Sequence, residues 1–289
     1  MTTFTPPAPS SLISPHDYAT LLRSDLVAFI HRAFCDLNPQ TLFMPAPYIE
    51  LRVSRLEDCR SGKTRRLIVN LPPRSHKSHC VSIAFAAWLL GHNPAIQIIA
   101  ASYGQDLADK LARDTRTLME ADWYRALLPT RLSARKAVND FTTTAGGTRM
   151  ATLVGGVLTG RGADVIVIDD PLKPDQALSE VGRKAVNEWY DNSLLSRLNN
   201  KRTGGIIIVM QRLHQHDLIG HMLLQDDWTV LSFPAIAEEP ECVPFWTPYG
   251  TRRFIRQPGE ALHPHRLSRH KTRRPGRLDH PGARLPPRT

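Results

Sequence analysis

The sequence predicts an α/β fold, a mostly parallel central sheet with helices on both faces. Three observations predict it. Four short runs, "RRLIVNL" (65–71), "IQIIAAS" (96–102), "VIVIDD" (165–170) and "GIIIVMQ" (205–211), are rich in Ile and Val and do not alternate with polar residues. Strands buried on both faces of a parallel sheet look like this, because neither face meets water. Stretches of helical character lie between them, at 77–91, 104–120 and about 174–198. Strands alternating with helices place helices on both sides of such a sheet. Finally, "TTTAGGTRMATLVGG" (142–156) reads as a β-hairpin with Gly146-Gly147 at its turn.

Residues 1–13 are rich in Pro, Ser and Thr and are expected to be disordered. "SPHDYATLLRSDLVAFIHRAF" follows and reads as one helix. Ser14 is its cap, Pro15 suits its first turn, and Asp17 favours the N-terminal end of the dipole. Tyr18, Leu21, Leu22, Leu26, Phe29, Ile30 and Ala33 recur at helical spacing, which marks a packing face. The run at 65–71 then passes through "LPPRSHKS" into the helix at 77–91. No internal repeat interrupts the chain.

The chain has 289 residues, 42% of them hydrophobic, enough for one large domain or two small ones. Its net charge of +10 suits an acidic partner such as nucleic acid. That charge is unevenly placed. From His263 to Thr289 there are seven Arg and one Lys against a single acid, Asp279, so this stretch carries +7 of the total. With five Pro, four His and almost no aliphatic periodicity, it is expected to be a disordered basic tail. The four cysteines, Cys35, Cys59, Cys80 and Cys242, show no C-x-x-C spacing, which argues against a zinc knuckle or redox pair and fits a reducing cytosol. The N-terminus does not read as a signal peptide. No apolar run approaches the roughly 18 residues of a membrane span.

Four stretches carry candidate chemistry. In "LPPRSHKS" a strand, a loop ending in Lys-Ser and a helix follow one another, as in a phosphate-binding loop. Lys77 is placed to reach β- and γ-phosphates, Ser78 to bind Mg²⁺, and the loop Pro73–Ser78 to hold the nucleotide through the free backbone N–H groups that follow its proline. The two glycine positions of G-x-x-x-x-G-K-[ST] are filled by Leu71 and His76. The stretch alone therefore reads equally as a nucleotide loop or a basic solvated turn. "VIVIDDP" ends a buried strand in two carboxylates. Asp169 would hold Mg²⁺ through its water shell, and Asp170 would polarise an attacking water. The alternative is an exposed acid pair.

"GIIIVMQRLHQHDLIG" ends its strand in Gln211-Arg212, a polar pair suited to sensing a γ-phosphate or to capping. His214 and His216 in the same stretch are two apart, which is not the i, i+4 spacing of two metal ligands on a helix. "GGVLTGRGAD" (155–164) places Thr159 and Arg161 among glycines, and Arg161 suits contact with nucleic acid or a neighbouring subunit's nucleotide, or an ordinary turn. Lys-Ser after the first strand, a double acid about 90 residues on and a polar strand end about 40 beyond that follow the order of an additional-strand P-loop ATPase.

Across about residues 16–264 the sequence resembles the large terminase subunit of tailed phages and prophages, the ATPase that packages DNA. The resemblance rests on "RRLIVNLPPRSHKS", "IIAASYGQDLADKLARDTR", "GGVLTGRGADVIVIDDP", "NEWYDNSLLSRL", "IIIVMQRLHQHDLIGHML" and "WTVLSFPAIAEE". It implies ATP and Mg²⁺ as cofactors. It assigns Lys77 and Ser78 to the phosphate and metal positions, Arg74 to the transition state, Asp169 to the metal, Asp170 to the catalytic carboxylate, and Gln211 and Arg212 to coupling. His76 departs from the family's P-P-R-x-G-K-S.

The partners implied are double-stranded DNA, a portal protein, a small terminase subunit and further copies of the chain in a ring, in the host cytoplasm and without a membrane. The resemblance divides the chain into an ATPase domain at 14–240, a linker at 241–262 and the tail at 263–289. No nuclease domain is expected, and the tail reads as a frameshift or truncation. Two other readings stand beside it: an inactive prophage remnant with weak nucleotide or DNA binding, and a helicase-like translocase.

Overall fold

The computed structural model describes residues 13–264 apart from Thr159. The segments expected to be disordered therefore lie outside it, except for Ile13, His263 and Pro264.

The single N-terminal helix expected from the sequence is two. α1 (Pro15–Ser24) ends at Asp25, and α2 (Leu26–Leu37) begins there. Asp25 takes an extended conformation (φ −121°, ψ 107°), and its carboxylate accepts the N–H groups of Val27 and Ala28, capping α2. The apolar spacing survives the break, and Leu22, Leu26, Phe29, Ile30 and Ala33 are all buried. α3 (Pro47–Arg60) follows. It buries Arg52 and Ser54 along with Tyr48, Ile49, Leu51, Val53 and Leu56, so its sequence shows no single apolar stripe.

β1 (Arg66–Asn70) leads into a π-helical stretch, His79–Phe85, continued by α4 (Ala86–His92). β2 (Gln97–Ser102), α5 (Gln105–Glu120) and α6 (Asp122–Leu127) come next. β3 (Leu132–Lys136), β4 (Asp140–Thr143) and β5 (Thr148–Leu153) form an antiparallel series. The expected hairpin is its β4–β5 pair, with Gly146 at φ +87° in the turn. β6 (Val165–Asp169) precedes α7 (Pro174–Leu178) and α8 (Glu180–Trp189).

The single helix expected over 174–198 is thus divided. Ser179 caps α8, and π-helical (Tyr190–Leu194) and 3₁₀ (Leu195–Arg197) turns finish the stretch. β7 (Gly205–Met210), α9 (Leu218–Met222) and β8 (Thr229–Ser232) complete the sheet. The stretch expected as a linker contains a separate hairpin, β9 (Glu241–Thr247) with β10 (Gly250–Arg256), which packs on α3.

The eight-stranded sheet has the order β3-β4-β5-β2-β6-β7-β1-β8. Its strands from β5 to β8 are parallel. The four apolar runs are the four adjacent strands β2, β6, β7 and β1 at its centre. Their alternate residues divide between two cores. Leu67, Val69, Ile98, Val167, Ile207 and Val209 join the core containing α2, α3 and α4. Ile68, Ile99, Ile166, Ile168, Ile206 and Ile208 join the core containing α8 and α9. Both faces are dry, which is why the runs do not alternate. β7 lies between β1 and β6, the additional strand of this fold class. Register pairs Val69 with Val209, and Asp169 with both Val209 and Ser102, so the carboxyl ends of these strands share one edge.

Candidate active site

A cavity of about 890 Å³ opens at that edge. The loop from Pro72 to His79 and Asp170 form one side, and Tyr48, Ala235, Leu262 and His263 also line it. Ligands of open α/β sheets bind at this end of the strands.

The loop keeps a glycine-like path without glycine. Arg74 has φ +62° and His76 φ +57°, in the left-handed region that costs a side-chain-bearing residue about 1–2 kcal/mol. Such torsions persist only where the surroundings enforce them. The His76 ring stands edge-on to Phe34 of α2 (5.0 Å, 86°) and 5.5 Å from Phe43, so part of the side chain is spent on packing. Ser75, between the two left-handed residues, is buried. Its carbonyl accepts hydrogen bonds from Arg52 Nη1 (3.2 Å) and from the Tyr48 hydroxyl (3.4 Å).

Lys77 Nζ lies 3.0 Å from Asp170 Oδ1. Ser78 Oγ donates to Asp169 Oδ1 at 3.0 Å, and Ser82 Oγ donates to Asp169 Oδ2. Two segments about 90 residues apart therefore meet directly. Neighbouring strand residues ordinarily face opposite ways. Asp170 escapes this because its φ is +47°, and the turn brings it round beside Asp169. Its N–H donates to Val209 O and its carbonyl accepts the N–H of Tyr103, which fix the turn.

Asp169 is 1% exposed. Burial and then the Asp170 charge push its pKa up to about 6, against the hydrogen bonds of Ser82 and Ser78 and the charge of Lys77. Arg149 of β5 is wholly buried, donates to Ser82 O and feels the Asp169 charge. Burial lowers its pKa to about 10.

The remaining sequence candidates sit elsewhere. Arg74 is exposed at the cavity lip. Gln211 is half-buried just past β7 and does not line the cavity. Arg212 pairs with buried Asp217 (3.0 Å) and donates to the carbonyls of His214 and Gln215, while its N–H reaches Asn70 Oδ1. Arg161 forms an ion pair with Asp140. Among the described residues no three His, Cys, Asp or Glu side chains converge as metal ligands.

The oxygen pair of Ser78 and Asp169 does suit Mg²⁺, a hard cation that takes few protein ligands and fills its shell with phosphate and water. Sequence reasoning missed Arg52, Tyr48, Ser82 and Arg149. Ser82 had a signal, since it stands four residues after Ser78 and so on the same helical face.

No protein-family model matches the chain, and no curated protein does. Among the solved structures similar to it are three from phages. The HK97 bacteriophage large terminase is 14% identical with a TM-score of 0.49, over 73% of this chain and 43% of that one. The large terminase of a thermophilic bacteriophage, solved in complex with ADP, is 15% identical with a TM-score of 0.42, over 65% and 45%. The ATPase domain of a Thermus phage large terminase is 15% identical with a TM-score of 0.40, over 63% and 71%. The chain spans less than half the length of the first two, and what it is similar to is in each case a phage large terminase or its ATPase domain.

Proposed function

We propose that the chain is a Mg²⁺-dependent ATPase, the motor part of a phage DNA-packaging terminase, with 14–240 as the hydrolytic unit. The observation that carries this is the hydrogen bond from Ser78 to Asp169 beside the Lys77–Asp170 pair, all at one sheet edge. Phosphate oxygens would be held by the N–H groups of the loop and by Lys77. Ser78 and Asp169 would hold Mg²⁺, which supplies charge neutralisation to the β- and γ-phosphates.

Lys77 and Asp170 satisfy each other. A bound phosphate competes for Lys77 and leaves Asp170 available to orient water. Arg74, at the cavity lip, is the proposed stabiliser of charge on the transferring group. Catalysis of this kind is positioning and charge stabilisation.

The motif set also supports double-stranded DNA as the substrate moved. Portal protein and small terminase subunit are proposed as partners, a ring as the working assembly, and the host cytoplasm as its place. Gln211 and Arg212 remain the proposed coupling residues, and Arg161 a proposed DNA or inter-subunit contact. No nuclease activity is proposed. Phosphate release from ATP and Mg²⁺ tests the proposal. Turnover is expected in the parent, with a loss of at least about 100-fold in Lys77→Ala and Asp170→Ala. A folded parent that shows no turnover would favour the remnant instead.

A further inference from the structure

We propose that Arg52 is a positioning residue that holds the glycine-free loop in its phosphate-accepting shape by clamping the Ser75 carbonyl. The inference rests on the nucleotide-site reading above and adds to it the reason why His76 can stand where glycine is usual.

Arg52 is fully buried, and arginine is seldom buried without a carboxylate partner. Among the described residues its hydrogen bonds run to Ser75 O (3.2 Å) and Cys80 Sγ (2.8 Å), one inside the loop and one in the helical turn that follows it. Among the same residues its Nε has no hydrogen-bond partner. Tyr48, one turn earlier on α3, lies under the guanidinium (5.8 Å) and adds its hydroxyl to the same carbonyl. The guanidinium does not line the cavity, so it acts through the loop.

The consequence follows from peptide planarity. The carbonyl of Ser75 and the N–H of His76 belong to one peptide plane and point in opposite directions. With the carbonyl fixed behind the loop, that N–H is turned away from α3, and the chain goes on to Lys77 with His76 at φ +57°. Successive N–H groups turned inward in this way make an anion-binding concavity. Glycine reaches such torsions at no steric cost. Here Arg52 imposes the plane from outside, and Phe34 and Phe43 receive the histidine ring.

A rescue experiment on the full chain tests this. ADP affinity with Mg²⁺ is measured by calorimetry for the parent, Arg52→Met, Arg52→Lys, His76→Gly and the pair R52M/H76G. Arg52→Met is expected to weaken ADP binding about tenfold. R52M/H76G should regain most of that loss, because glycine takes the left-handed torsion without the clamp. A merely structural arginine would give no such rescue.

Unchanged affinity in a folded Arg52→Met, or no recovery in the double variant, overturns the proposal. Should Arg52→Met fail to fold, Arg52→Lys carries the same comparison, with a smaller loss and the same rescue. A parent that binds no ADP would sink the ATPase reading alone. The crystal structure of the arginine variant then decides this inference separately. A residue 76 that leaves positive φ supports the clamp, and one that keeps it overturns the clamp.

Discussion

Asp169 carries its charge against the resistance of its surroundings. Its ordinary pKa is near 3.8, and burial with the adjacent Asp170 lifts it to about 6 in the fold. Between those values the folded protein keeps a proton that the unfolded chain has lost. The stability this group contributes is therefore fully present below about pH 4 and is lost as pH rises through about 6. Near neutrality the ionised carboxylate costs roughly 3 kcal/mol. Asp169→Asn is accordingly expected to raise the melting midpoint at pH 7.5, by about 2–4 °C for each kcal/mol recovered, and to give little change at pH 4. Thermal melts at the two pH values check this, and equal shifts at both would contradict it. The types and order of Lys77, Ser78, Asp169 and Asp170 made this quartet legible in the sequence. Arg52 and Tyr48 were not legible, because a lone arginine on a helix without an apolar stripe looks like a surface residue.

Single side chains decide several element boundaries. Asp25 breaks what reads as one helix, caps α2 and accepts the Tyr249 hydroxyl at 3.2 Å. Asp25→Ala should cost about 1 kcal/mol in urea unfolding, the usual loss for a cap. Asp217 does more. It is fully buried, caps α9 through the N–H of Gly220, accepts the N–H of Leu213 and pairs with Arg212. Its replacement by Ala leaves that arginine without its carboxylate and is expected to cost roughly 3 kcal/mol. A loss below that of Asp25→Ala would show that the Arg212–Asp217 pair does not hold this loop. Neither boundary was readable beforehand. Asp serves equally as a surface acid and as a cap, and only the fold shows which backbone N–H groups it meets. The helix over 104–120 and the hairpin at Gly146-Gly147 were readable, because their spacing and turn residues are local properties.

At the scale of the whole molecule, the site is an edge of the sheet and is completed by chain from far away. Nucleotide binding should therefore stabilise the molecule as a unit. At ADP and Mg²⁺ near 100 times the dissociation constant, mass action adds about 2.7 kcal/mol. The melting midpoint of the parent should rise by several degrees, and that of Lys77→Ala should not. A rise of equal size in both would place the nucleotide elsewhere. The sequence by itself determined the α/β class, the four central strands and the polar residues Lys77, Ser78, Asp169 and Asp170 at or beyond the ends of two of them, because burial on two faces leaves its mark on residue type and charged or hydroxyl residues stand out where an apolar run stops. Tertiary structure alone decided that β7 separates β1 from β6, that Asp170 turns back beside Asp169, and that His76 takes glycine's torsion with Arg52 behind the loop. Each of these depends on contacts between residues far apart in the chain, and a left-handed φ on a histidine has no signature until its surroundings are known.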